Sequence, residues 1–544
     1  MTPLPTKGKT HVYLLLLAAQ FVSLSILLGQ PALAVAGISS DEDSMEGTLI
    51  ADLGFRPDVD GFSFSNYGGE KSYQGLTPED LKRMAGDQVC VSQPKGECIL
   101  TPTWTYWMEM VNAIADGGHC QGMAVLSLLF YEKLINVTDF GAESTHDLTI
   151  AGNGVLQKEI AYWFAHQLLE PTMSSGINEK PSKILDLLIA SFQDENRTKR
   201  YTIAISERNG TDGHAITPFA VRDVGNGICQ ILVYDNNYPD QTCIVEVDRI
   251  NESWTYQGGT SPLGETYVYE GDADSLNLEL IPISVQLVPQ NCTSCNEEVC
   301  EIWAEGETSI LIIDAKQRML GFVNGKLENE IPGARVIYPL TGLENDTSPI
   351  YIMPLQESFI VILQGINPDE QVASNLTILA PEYVLYIEDI SLSPGQSDVI
   401  AVNPQQSFMG DPTTTTFDYL PGGPESPTIT VATLDNDTHY VFAVTGHDLQ
   451  EGMTLETAIN MNTDVFGFGH TNSTADYIYD VAVARTDQSG EQVFGHEGIK
   501  IKPDCVAFLQ YDNWTGNQSP KPMTLLCGEQ IETVDLVDMT DQMP

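Results

Sequence analysis

Positive charge is the scarcest feature of this sequence. Its 544 residues carry 25 Lys and Arg against 75 Asp and Glu, a formal net charge of −50. A surface this acidic repels phosphate and no basic patch offsets it, so nucleic acid is not an expected partner. Beyond residue 28 no apolar run is long enough to cross a bilayer. There is no D-x-D-x-D-G calcium loop and no glycine-rich phosphate loop. His146, His166, His439, His447, His470 and His496 have no metal-ligand spacing. No cofactor and no metal are therefore expected. Apolar residues, at 42%, are plentiful enough for real cores in several domains, which excludes a disordered acidic chain.

The N-terminus reads as an export signal, residues 1–34. Lys7 and Lys9 precede an apolar run over 13–28, and Ala32-Leu33-Ala34 is a small-x-small cleavage site. An uncleaved anchor is the alternative, but the run is short for a span of ~20 residues and contains Gln20, Ser23 and Ser25. No stable membrane span is expected after cleavage, and the destination is outside the cell or on its surface. Eleven N-x-S/T sequons (Asn136, Asn196, Asn209, Asn251, Asn291, Asn345, Asn375, Asn436, Asn472, Asn513 and Asn517) follow the signal and fit an exported, glycosylated surface. Cysteine usage agrees. Cys90/Cys98, Cys229/Cys243 and Cys505/Cys527 are close pairs suited to disulfides in an oxidising compartment. Cys292, Cys295 and Cys300 lack a fourth ligand and read as one disulfide and one leftover thiol. Cys120 has no close partner.

Residues 35–74 read as an acidic, Gly-containing arm. Helical spacing predicts helices at 78–84, 104–116, from Cys120 onward, at 157–169 and at about 181–193. The run CQGMAVLSLLFYEKL is apolar on nearly every face, the mark of a buried helix. The period then changes to alternation over 200–206, 214–222, 228–235 and 242–248, with Gly- and Asn-rich turns between. Helices first and a meandering sheet second predict an α+β domain over 75–285. From Pro289 on, short strands recur and no convincing helix remains apart from a possible turn at 453–460. Two β-sandwich-like modules are expected, at 286–370 and 371–544.

The chemistry gathers around Cys120. It opens the buried helix after Gly117-Gly118-His119, and a helix N-terminus lowers a thiol pKa and offers N–H donors to an oxyanion. His214 opens a predicted strand, and Asp235-Asn236-Asn237 ends the next. A turn at Gly225-Asn226-Gly227 would bring 214 near 235, so Asp235, or Asn236 as the alternate, holds the imidazole from behind. His119 reads as a turn residue or a support. This order of nucleophile, base and orienter resembles the papain-like cysteine peptidase superfamily, most of all its bacteriocin-leader-peptidase branch. Segments LTPTWTYWMEMVN, GGHCQGMAVLSLLFY and GHAITPFAVRDVGNGICQILVYDNNYP are similar to a group of exported microbial proteins. The resemblance spans roughly residues 60–280. It implies a papain-like α+β fold, with Cys120 as nucleophile, His214 as base and Asp235 as orienter.

One position departs from the family. Its oxyanion-hole Gln stands six residues before the Cys, where this chain has Ile114. Asn112 is the candidate substitute, with His119 a further option. The segment Gly118-x-Cys120-x3-Ala124 also resembles the transglutaminase-like nucleophile motif, whose chemistry is acyl transfer. The expectation is a thiol hydrolase acting on a peptide or cell-surface protein substrate through a thioester, its β modules touching glycan or wall. A non-catalytic adhesion or structural protein with a degenerate peptidase fold is the competing class.

Overall fold

The structure, a computed structural model, describes residues 47–540 apart from 93–97, 209, 259–266, 293–298, 307, 324–325, 344–347, 356–357, 367–370, 409–410, 436–437, 488, 504, 513 and 515–518. The expected signal, Cys295 and five sequons, at Asn209, Asn345, Asn436, Asn513 and Asn517, lie outside the described residues.

Alternating apolar residues and Gly/Asn turns build one antiparallel sheet from β1 (Thr48–Asp52), β2 (Ile177–Asn178), β3 (Tyr201–Ile205), β4 (His214–Gly225), β5 (Ile228–Tyr234), β6 (Thr242–Asp248), β7 (Ser253–Gly258), β8 (Tyr267–Asp272) and β9 (Leu278–Pro282). The spatial order is β8-β7-β6-β5-β4-β3-β9-β2, with β1 beside β4. The helices are α1 (Pro78–Ala85), α2 (Pro102–Ala115), α3 (Cys120–Tyr131), α4 (Gly154–Ala165) and α5 (Pro181–Phe192). Pro at the first turn of α1, α2 and α5 suits a position whose N–H is unpaired anyway.

α3 is buried from Cys120 through Phe130. Each large apolar side chain so buried contributes roughly 1.5–3 kcal/mol. Gly122 lets α4 approach, since a Cβ there would lie 2.1 Å from the Ile160 carbonyl oxygen. The other face of α3 lies on β4, which carries the histidine.

The rest of the chain is β-rich. A ten-stranded and an eleven-stranded antiparallel sheet share one core, running from Cys300 and Ile302 through Leu385, Phe417 and Phe442 to Leu509. Strands from both sides of residue 370 stand in both sheets, a block from before it paired edge to edge with a block from after it. Val299–Glu305, for example, pairs with Val372–Leu379, and Phe359–Gly365 with Ser397–Phe408. No break falls at the expected boundary, because both expected modules contribute to both faces of the same core. The expected turn at 453–460 is a strand, Thr454–Asn460, whose Leu455 and Ile459 point into that core.

The helical layer joins the two parts. Trp104, Trp107 and Val111 share a core with Ile350, Ile352, Leu379 and Val384 of the ten-stranded sheet. Arg335 adds a 3.0 Å ion pair to Glu170. Residues 335–343 thus run along the first part.

Two further expectations change. Residues 48–74 are part of the fold, not a loose arm: β1 pairs with β4, and Phe55 and Phe62 are fully buried. Their aromatics, spaced without strand or helix period, make a packed loop. Cys229 and Cys243 are free thiols. Cys229 stands opposite Val247 and Cys243 opposite Val233, a four-residue offset of about 13 Å along the strands. A disulfide needs Cα atoms within about 7 Å. Cys90–Cys98 and Cys505–Cys527 are disulfides, Cys292 is disulfide-bonded, and Cys300 is free.

Candidate active site

The Gly225-Asn226-Gly227 turn folds β5 back on β4, with Thr217 opposite Tyr234. That register carries the start of β4 to the end of β5. His214 Nε2 lies 2.8 Å from Asp235 Oδ1, both side chains completely buried. The Asn237 amide donates to the same oxygen at 2.8 Å, and the Tyr256 hydroxyl donates to Oδ2. Asp235 is thereby locked on both oxygens. Burial alone pushes the His214 imidazole down, but the Asp235 carboxylate and Cys120 outweigh it and hold it up at about 10. The other ring nitrogen, Nδ1, is buried with no regular hydrogen bond.

Cys120 is the first residue of α3, beneath β4, and its Sγ accepts the Ala215 amide at 3.2 Å. Asn236 does not touch the imidazole. Its Nδ2 donates to the carbonyls of Cys120 (3.1 Å) and Ala215 (2.9 Å), pinning the helix to the strand. The side chain bonded to the imidazole is therefore Asp235, and Asn236 is a brace. Asn112 is not in the site at all. Its side chain bonds both Leu76 N (2.8 Å) and Leu76 O (3.3 Å), because its place on α2 faces the loop before α1.

Sequence reasoning missed the residue standing where Asn112 was expected. Asn66, on the supposed arm, accepts the His119 amide at 2.8 Å through Oδ1. Its Nδ2 then faces the Cys120 amide, and both donate to one oxygen, the Thr341 carbonyl, at 2.9 and 3.4 Å. His119 supports this corner. Its ring stacks on Tyr67 at 4.6 Å, Nδ1 meets the Tyr67 carbonyl at 2.8 Å, and burial pushes it down to about 4, so it stays neutral. Gly118 leaves the space, since a Cβ there would lie 2.2 Å from the Thr341 oxygen.

No family model, curated protein or solved structure matches the chain. What the site can do follows from its own geometry. Among the described residues no cluster of His, Cys, Asp or Glu is suited to hold a metal ion. The geometry offers a thiol, an imidazole braced by a carboxylate, and two N–H donors aimed at one carbonyl oxygen. This is the equipment for adding a thiol to an acyl carbon. Beside it lies a cleft of about 490 Å³ lined by Gln167, Ile205, Gly213, Glu279, Tyr338 and Leu340.

Proposed function

We propose that this protein is an exported thiol hydrolase that cleaves a peptide or amide bond through a Cys120 thioester. The observation carrying the reading is the row Cys120, His214, Asp235 with two N–H donors meeting on one carbonyl oxygen beside it. Helices preceding an antiparallel sheet, with the thiol on a helix and the His and Asp on neighbouring strands, support the papain-like reading. In that reading the Cys120 thiolate attacks, His214 shuttles the proton, Asp235 and Tyr256 hold the ring, and Asn66 with the Cys120 amide receives the oxyanion. No cofactor enters this scheme. The disulfides and the signal-like N-terminus support export. No helix among the described residues is long and apolar enough to cross a membrane.

The test must reach a thiol that is fully buried beneath residues 340–343. Gly342→Ala supplies access, because the added methyl would lie 2.3 Å from His214 Nδ1 and must lift the segment. In that variant, iodoacetamide labels Cys120 at pH 6 at least about tenfold faster than in the double variant carrying His214→Ala. Equal rates in the two would leave a non-catalytic scaffold.

A further inference from the structure

The segment over the site, residues 340–343, lies far beyond Cys120 in sequence, and its main chain is gripped at Leu340, Thr341, Gly342 and Leu343. The Leu340 amide donates to Gln167 Oε1 at 2.7 Å, and Gln167 Nε2 donates to the Leu340 carbonyl at 3.4 Å. The Thr341 carbonyl takes the Cys120 amide and Asn66 Nδ2. The Gly342 carbonyl accepts Asn237 Nδ2 at 2.7 Å, and the Leu343 amide donates to the Gly117 carbonyl at 3.2 Å. Such a set of contacts recognises a main chain bent at Gly342 and is indifferent to most side chains.

The glycines of both partners are cut to this fit. Gly213 leaves room for Leu340, whose Cδ2 would be 2.7 Å from an added Cβ, and Gly118 leaves room for the Thr341 carbonyl and Leu343. Gly342 adopts φ +79°, and a Cβ on it would fall 2.3 Å from His214 Nδ1 and 3.0 Å from Cys120 Cβ. The bond between Thr341 and Gly342 is thereby set across the Cys120–His214 pair. Its oxygen points at the two donors, and its Gly342 end lies against the imidazole.

We propose that the Thr341–Gly342 peptide bond is a substrate of this site, cut by the chain that carries it. The proposal rests on the hydrolase reading above. The Cys120 sulfur bonds to the Thr341 carbonyl carbon, and the oxyanion forms on the Asn66 and Cys120 N–H groups. The tetrahedral adduct collapses, the bond to the Gly342 nitrogen breaks, and the His214 imidazolium gives that nitrogen its proton. Water then adds to the thioester with His214 taking its proton. Thr341 leaves as a carboxylate, and the proton restores the Cys120 thiol. One water is consumed and no oxidant or reductant is needed. Cleavage frees Gly342 to withdraw and opens the cleft to other peptides.

Full-length protein, its Cys120→Ala variant and its Asn66→Ala variant are each incubated and followed by reducing denaturing electrophoresis, intact mass and N-terminal sequencing. Labelling of Cys120 in Gly342→Ala is measured in parallel. The expected result is two fragments in the wild type, one beginning at Gly342 and their masses together exceeding the whole by one water. Cys120→Ala stays whole, and Asn66→Ala is cut on the order of 100-fold more slowly. Cutting at this bond in Cys120→Ala overturns the proposal. So does a wild type that stays whole while Cys120 in Gly342→Ala shows His214-dependent reactivity. That second result makes the segment a resident inhibitor and leaves the hydrolase reading standing. A whole wild type together with an inert Cys120 removes both.

Discussion

The His119 amide donates to Asn66 Oδ1 over 2.8 Å, and with the Tyr67 amide, which donates to the same oxygen at 2.9 Å, it fixes which end of the Asn66 amide faces the Thr341 carbonyl. With Oδ1 engaged, Nδ2 has only one direction left, toward the oxygen that the Cys120 amide also serves. Asn66 stands far from Cys120 in sequence, yet completes a site that the helix alone leaves one donor short.

Asn66→Ala and Asn112→Ala separate turnover from folding when compared. Asn66→Ala leaves the His119 and Tyr67 amides without their acceptor, so it lowers stability by roughly 1–3 kcal/mol and, in the fraction still folded, slows peptide-bond cleavage on the order of 100- to 1000-fold. Asn112→Ala shares only the first effect. It leaves cleavage intact and lowers stability by roughly 1–3 kcal/mol, because the Leu76 amide loses its acceptor. Equal kinetic losses in both variants would contradict the assignment.

The imidazole of His214 is held above its ordinary value of about 6.5, at about 10. A group raised on folding contributes stability that is fully present below pH 6.5 and is lost as pH climbs toward 10. The melting-temperature gap between wild type and His214→Ala should thus narrow across that interval. A gap that widens with pH would mean a neutral histidine.

The second core holds a buried carboxyl pair, Asp398 and Glu425. Burial, with Asp398 adding to it, pushes Glu425 up to about 8. Asp398 accepts the Tyr419 hydroxyl at 2.5 Å and the Gly422 amide at 2.9 Å. Stability tied to a protonated Glu425 is complete below about pH 4.5 and is lost as pH rises through 8. Glu425→Gln should raise the melting temperature at pH 9 and change it much less at pH 5. Equal effects at both would show that this carboxyl does not titrate on folding.

Alkylation in denaturant without reductant gives a direct thiol inventory. Cys120, Cys229, Cys243 and Cys300 take the label, whereas Cys90, Cys98, Cys505 and Cys527 do so only after reduction. A linked Cys229–Cys243 peptide would require a β5–β6 register four residues from the one described.

The parts of this molecule written in local period were legible. α2, α3 and α5 and strands β3 to β6 fall close to where apolar spacing and turn residues place them, and with them Cys120, His214 and Asp235. What escaped was held by contacts across long sequence distances. Asn66 sits in a loop whose order comes from packed aromatics, and Asn112 looked suitable only because helix position says nothing about which neighbour takes an amide. Strands such as Asp411–Leu420, rich in Thr, carry too little apolar alternation to stand out, although Phe417 and Tyr419 lie in the core. The Thr341–Gly342 segment has no motif at all, since backbone recognition leaves almost no side-chain signature.

The sequence separation of 275 from Asn66 to Thr341 sets a chronology. Ribosomes deliver Cys120, His214 and Asp235 well before the segment that covers them. For the time needed to synthesise and seat the later strands, the nascent polypeptide carries its thiol uncovered. Under the proposed hydrolase function, that early stretch would meet bystander chains before residue 340 arrives.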